Sequence, residues 1–242
     1  MKKTIVLVLV VVLLTSGLIA GCIGGIGGVV TGSRNLETRE FEFIGFTRVE
    51  VGSAFEVEIA QSDSYSVSIT ADDNLFDYIT VSKSGETLKI RLKWGYNYIS
   101  TTQRARITMP DLYGLELSGA TRGNVQGFSS SHDFILGLSG ASRLTGDITA
   151  GNADIDISGA STVQLEGSAS DIVVDASGAS RVKLADFVVN NADVRLSGAS
   201  SGTVNLDGRL DANLSGASTL NYSGNPTLGS IKTSGGSTLS EK

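Results

Sequence analysis

The sequence predicts an all-β protein: a right-handed parallel β-helix, or β-solenoid, with coils of about 19 residues and an irregular, partly antiparallel N-terminal part. Three observations carry this. A short phrase recurs down the second half as "LELSGAT", "LGLSGAS", "IDISGAS", "VDASGAS", "VRLSGAS", "ANLSGAS" and "IKTSGGS", with its first serine at Ser118, Ser139, Ser158, Ser177, Ser197, Ser215 and Ser234. Apolar and polar residues alternate on both sides of the phrase, the period of a strand rather than a helix. The composition, 30 Gly against 2 Pro with 18% charged residues, suits short strands joined by tight corners.

Taken in chain order, residues 1–21, "MKKTIVLVLVVVLLTSGLIAG", read as a signal peptide: Lys2 and Lys3 precede an apolar run from Ile5 to Leu14 and then small residues. Ile19-Ala20-Gly21-Cys22 resembles a prokaryotic lipobox, which implies cleavage before Cys22 and lipid attachment to its thiol. Cys22 is the sole cysteine, so no disulfide forms within the chain. The expected address is the outer face of a cell membrane or the cell envelope, with the membrane as partner through that lipid. Residues 22–37 are Gly-rich without a period and read as a flexible tether.

A domain is expected over residues 38–240. Its first part, 38–113, has strand-like runs such as "YSVSITA", "YITVSK", "TLKIRLKW" and "RARITM" that keep no common period. "VEVGSAFEVEI", Val49 to Ile59, superimposes on "IDISGASTVQL" and reads as a degenerate first coil. Some neighbouring strands are expected to pair antiparallel and cover the open end, because unpaired edges invite aggregation.

The second part, 114–240, holds the repeats. Residues three and one before the serine (Ile155 and Ile157, Val174 and Ala176, Val194 and Leu196) and five and seven after it (Val163 and Leu165) are predicted to point inward. Small residues fill the corner because equivalent corners lie about 4.8 Å apart in stacked coils, and Gly supplies the backbone angles. Serine hydroxyls are expected to bond from coil to coil and to corner backbone groups. The final "GGSTLSEK" is too short for a cap, so end-to-end or side-by-side self-association is an expected mode of contact.

Stacking in register predicts columns on the outer faces. Two residues before each serine stand Glu116, Gly137, Asp156, Asp175, Arg195, Asn213 and Lys232, in which Asp156 and Asp175 form a weak candidate cation site. Four after it stand Arg122, Arg143 and Arg181, candidates for an anionic ligand. Of the 15 aromatic residues, 11 lie between Phe41 and Tyr113. "KWGYNYI" sets Trp94, Tyr96 and Tyr98 on one face of a strand, a candidate sugar- or partner-binding strip or a plug for the N-terminal end.

"FTRVEVGSAFEVEIAQSDSYSVSITADDNLFDYITVSKSGETLKIRLK", followed by repeated SGAS corners, resembles the auto-transporter adhesin head domain, the head GIN domain, over residues 38 to about 240. The resemblance implies a β-helix of pectin-lyase-like shape on an exported, often lipid-anchored chain with a role in adhesion. It supplies no catalytic residues, and no C-terminal series of membrane strands is visible to match the auto-transporter label.

Chemistry is sparse. The one histidine, His132 in "SSSHD", reads as a solvated turn residue, and no cysteine or histidine spacing suits zinc. No cofactor and no catalytic residue are expected. The net charge of −6, without a basic run, disfavours nucleic acid. The expected function is that of a non-catalytic, lipid-anchored surface adhesin or scaffold binding a carbohydrate or envelope partner. A lyase or hydrolase for an acidic polysaccharide, or an envelope-sensing protein-interaction module, are the alternatives.

Overall fold

A computed structural model describes residues 27–242. The expected signal peptide and Cys22 lie outside the described residues. The chain winds into a parallel β-solenoid with two long walls, one of 10 strands and one of 11. Each repeat contributes a strand to the leading wall, turns through its SGAS corner, and contributes a strand to the trailing wall. Ala153–Ile157, the corner at residues 158–161 and Thr162–Ser168 make one such coil; Asp171–Ala176 and Arg181–Val189 make the strands of the next. All coil-to-coil pairings in this region are parallel, and the residues flanking the corner keep the repeat in register, Ile157 lying beside Ala176 and Ala176 beside Leu196.

The core is the tube between the walls. Ile155, Ile157, Val163, Leu165, Val174, Val194 and Leu196 are all buried, as the alternation predicts. Phe128, Phe134 and Phe187 add bulk near the return corners, where the trailing strands carry register shifts. Burying each large aliphatic side chain contributes about 1.5–3 kcal/mol, and a single coil cannot do so alone.

The seven serines form a file. The amide of each donates to the carbonyl one coil earlier, as in Ser158 N to Leu138 O at 2.9 Å and Ser177 N to Ile157 O at 2.9 Å. The ladder continues through the corner: Ala179 N donates to Gly159 O at 2.7 Å and Arg181 N to Ser161 O at 2.9 Å. Alternate corner amides, those of the first serine, the alanine and the residue after the second serine, thereby find partners in the coil below. Gly159 has φ +74°, and a Cβ there would stand 2.3 Å from the Gly140 carbonyl oxygen. Steric stacking and left-handed geometry thus demand glycine together.

The hydroxyls bond to corner backbone groups as expected, mostly within a coil rather than between coils. The inward hydroxyl belongs to the second serine of the phrase, and in most coils it bonds within its own coil, as Ser142 Oγ donates to Ser139 O and Ser180 Oγ to Ser177 O, both at 2.8 Å, whereas the Ser161 and Ser200 hydroxyls have no partner. The first serine reaches the preceding coil only at 3.5 Å, at Ser197 and Ser234. The second serine points into the tube, where the carbonyl three residues back is within reach; Ser237 Oγ also reaches the preceding coil, 3.1 Å from Leu214 O.

At the N-terminal end, Arg48–Val51 and Glu56–Gln61 pair in parallel with the first repeat strands, so the degenerate coil is real. It is not the outermost: Thr87–Leu92 and Gln103–Met109 stack on its far side, also parallel. Beyond them, Ile79–Ser84, Ser66–Asp72 and Leu36–Glu40 add antiparallel, closing that end. Residues 27–37 differ from the tether expected there. Val29–Thr31 pairs with Asn97–Ile99, and Leu36–Glu40 begins a strand, because buried Asp72 and the Asn97–Ile99 edge supply partners that local composition does not reveal.

Candidate ligand-binding surfaces

The aromatic residues gather where the N-terminal hairpin meets the leading wall. Strand Thr87–Leu92 ends at a turn through Trp94 and Gly95, the latter at φ +95°, and a new strand runs from Asn97 to Ile99. Trp94, Tyr96 and Tyr98 therefore do not share one strand face: the glycine breaks the strand between them. Trp94 is 89% exposed, whereas Tyr96 and Tyr98 turn toward Tyr78. Ring centroids are 4.9 Å apart for Tyr78 and Tyr96, edge to face, and 6.0 Å for Tyr78 and Tyr98. The Tyr98 hydroxyl donates to Lys93 O at 2.8 Å; burial pushes its phenol pKa up, helped by the neighbouring Tyr78 and Tyr96.

These rings border a groove whose polar side is Glu50, Thr80, Lys89 and Arg91 of the leading wall. Lys89 and Glu50 form an ion pair. Aromatic faces beside a rim of hydrogen-bonding groups suit a sugar ring, which has an apolar face and hydroxyl edges. Tyr78 was not among the sequence candidates. Its signal was present: pairing the hairpin outward from Ser84 and Thr87 reaches Ile79 with Leu92, and one step further sets Tyr78 opposite Lys93.

On the trailing wall the arginine column forms as spaced. Arg122 lies beside Arg143, Arg143 beside Thr162, and Thr162 beside Arg181. Thr162 thus separates Arg181 from the other two. The fold adds Arg104 and Arg106 from Gln103–Met109, which reach this face only because that strand pairs with Glu56–Gln61.

The acidic column is likewise in register, from Glu116 through Gly137, Asp156 and Asp175 to Arg195, Asn213 and Lys232. Arg195 Nη1 stands 3.3 Å from Asp175 and also pairs with Asp193, so one member of the Asp156–Asp175 pair is already compensated. Among the described residues no three carboxylate, histidine or cysteine side chains converge as a metal site. His132 is exposed and its ring packs against Tyr113 at 4.6 Å; Asp133 bonds Asn152 instead of the imidazole. No nucleophile, base and orienting group come together there.

No curated protein matches the chain. Among solved structures, a putative adhesin from Bacteroides fragilis superimposes with TM-score 0.83 at 20% identity, covering 88% of this chain and 100% of that one. A putative lipid binding protein from Parabacteroides distasonis does so with TM-score 0.69 at 20% identity, over 88% and 99% of the two chains. A putative adhesin from Parabacteroides merdae gives TM-score 0.67 at 17% identity, over 89% and 100%. At these identities the likeness is one of fold. Residues 45–226 match the family described as "Putative auto-transporter adhesin, head GIN domain", and the chain belongs to that family.

Proposed function

We propose that this protein is a non-catalytic adhesin-type scaffold, exported and held at the outer face of the cell membrane or envelope by lipid on Cys22, that binds glycan through its aromatic crest. The observation that carries the reading is the exposure of Trp94, at 89%, and Tyr96, at 39%, beside the groove lined by Lys89 and Arg91. Large aromatic groups left in water at a polar-rimmed groove are characteristic of a surface that meets a partner. The solenoid supplies rigidity: each coil is pinned to its neighbours along both walls and at the SGAS corner, so a ligand meets a preorganised face.

The test is a neutral-glycan array probed with the full chain and with the Trp94→Ala/Tyr96→Ala double variant. Binding is expected for the parent and about tenfold or greater loss for the variant, with the far-ultraviolet circular dichroism unchanged. Absence of binding to every neutral glycan, or equal binding by both proteins, refutes the crest as the ligand site. Anchoring is read separately: mass spectrometry of the membrane-extracted chain is expected to find Cys22 as the N-terminal residue carrying the added mass of acyl chains, and an unmodified Cys22 thiol refutes lipid attachment there.

A further inference from the structure

The trailing wall, on the other side of the tube from the aromatic crest, carries a concentration of positive charge in a chain whose net charge is −6. Parallel register sets Arg104, Glu56, Arg122 and Arg143 side by side on four consecutive strands. One step along each strand, on the same face, come Arg106, Glu58, Asn124 and Thr145. Together with Thr38, Ser68 and Thr70 these side chains line one shallow groove.

The carboxylates in this groove are occupied. Arg104 Nε donates to Glu56 at 3.0 Å, and Arg106 donates to Glu58 through Nε at 3.1 Å and Nη2 at 2.9 Å. Arg122 and Arg143 make no ion pair with any of the described residues, although they are exposed and directly opposed. Like charges facing each other across a strand pair disfavour the pairing, and an anion between them reverses the sign of that term. Two guanidinium forks one strand spacing apart match a planar carboxylate or a sulfate oxygen fork.

The neutral groups beside the arginines indicate what kind of anion. Asn124 Nδ2 donates to Thr145 Oγ1 at 3.1 Å, and the Thr38 and Thr70 hydroxyls lie 2.8 Å apart, leaving further donors and acceptors turned to the groove. Its apolar lining, Val57 and Ala105, is buried floor, 2% and 3% exposed, and offers no seat for an acyl chain. We propose that Arg122 and Arg143 are the centre of a binding site for an acidic polysaccharide, with carboxylate or sulfate on the arginines and sugar hydroxyls on Thr70, Asn124 and Thr145. This is a second site, independent of the aromatic crest and of a different ligand class.

The test uses the full chain in uncharged detergent, titrated calorimetrically with hexagalacturonate and with a heparin-derived octasaccharide, cellohexaose serving as the uncharged control. The parent is expected to bind at least one of the two acidic oligosaccharides, more weakly as salt is raised. Arg122→Gln/Arg143→Gln is expected to lose about tenfold or more in affinity, the worth of charge-assisted hydrogen bonds. Arg181→Gln, beyond Thr162 on the same column, and Trp94→Ala/Tyr96→Ala are expected to bind as the parent does. The proposal is overturned by failure of both acidic probes to bind, or by binding that survives the double arginine variant. It is also overturned if vesicles of phosphatidylglycerol bind through the arginines while both oligosaccharides do not. Because the crest variant is read on neutral glycans, either site can fail without the other.

Discussion

The SGAS phrase assigns a distinct physical task to each of its residues, and the tasks are separable by substitution. Gly159 combines φ +74° with an oxygen 2.3 Å from where a Cβ would sit, so Gly159→Ala meets both conformational strain and a collision with backbone that cannot rotate away. The expected loss is about 2–4 kcal/mol in urea denaturation, with an unshifted midpoint counting against the stacked corner. The second serine offers an internal contrast. Ser161 and Ser180 are both buried, yet Ser180 Oγ has its carbonyl partner at 2.8 Å while the Ser161 hydroxyl has none. Ser180→Ala is expected to cost about 1 kcal/mol and Ser161→Ala to be neutral or slightly stabilising, because only the first removes a made hydrogen bond. Equal costs at the two positions would show that the hydroxyl contributes by volume alone.

Among the elements, the three-residue strand Val29–Thr31 is the one least able to hold itself, since so short a parallel pair has few bonds of its own. A buried carboxylate secures the segment that follows it. Asp72, 1% exposed, accepts from Arg34 N at 2.6 Å and Thr102 N at 2.7 Å, joining three stretches of chain. Gly32 permits the approach: a Cβ there would lie 2.6 Å from the Asp72 carboxylate. Asp72→Ala strands two amides and is expected to cost about 2–4 kcal/mol while opening residues 33–40 to protease well before the repeats. Simultaneous cleavage of both regions would show instead that the N-terminal part and the solenoid unfold as one. This clasp was hidden in the sequence for a physical reason. Its partners Thr102 and Arg34 lie 30 and 38 residues from Asp72, and neither alternation nor repeat length relates them. The "GGIGGVVTGSRN" composition suggests backbone freedom, but freedom in the unfolded chain is compatible with a folded strand once an edge such as Asn97–Ile99 is available. The same limit applies at the aromatic crest, where alternation carried through Gly95 puts Trp94 on a strand, and the turn at that glycine takes it off.

Across the whole molecule, what was readable follows from translation along one axis. A column such as Arg122–Arg143 needs only the repeat length to be located, and so the trailing-wall site was half visible; Arg104 and Arg106 joined it through a strand order in which Gln103–Met109 precedes Glu56–Gln61 in space. The translational rule makes a strong prediction. Deleting residues 158–176 removes one coil and joins Ile157 to Ser177, which occupy adjacent places in the same phrase. Every neighbour is then replaced by its equivalent: Phe134–Leu138 and Ala153–Ile157 stay paired, and Ala153–Ile157 inherits Asn191–Leu196 as its next partner in the leading wall. In a nearest-neighbour solenoid the shortened chain should fold cooperatively, with stability and denaturant slope reduced by about one coil's share. Deleting only residues 158–166 should abolish folding, since it removes the corner and most of the trailing strand Thr162–Ser168 and leaves the remainder out of phase. The full-coil deletion also removes Thr162 and brings Arg181 beside Arg143, extending two opposed arginines to three. If the groove binds acidic polysaccharide, hexagalacturonate should bind the shortened protein more tightly and with a steeper salt dependence than the parent. A folded deletion variant with weaker or unchanged binding would mean that the arginines act singly, and that the ligand does not run along the axis on which the coils are stacked.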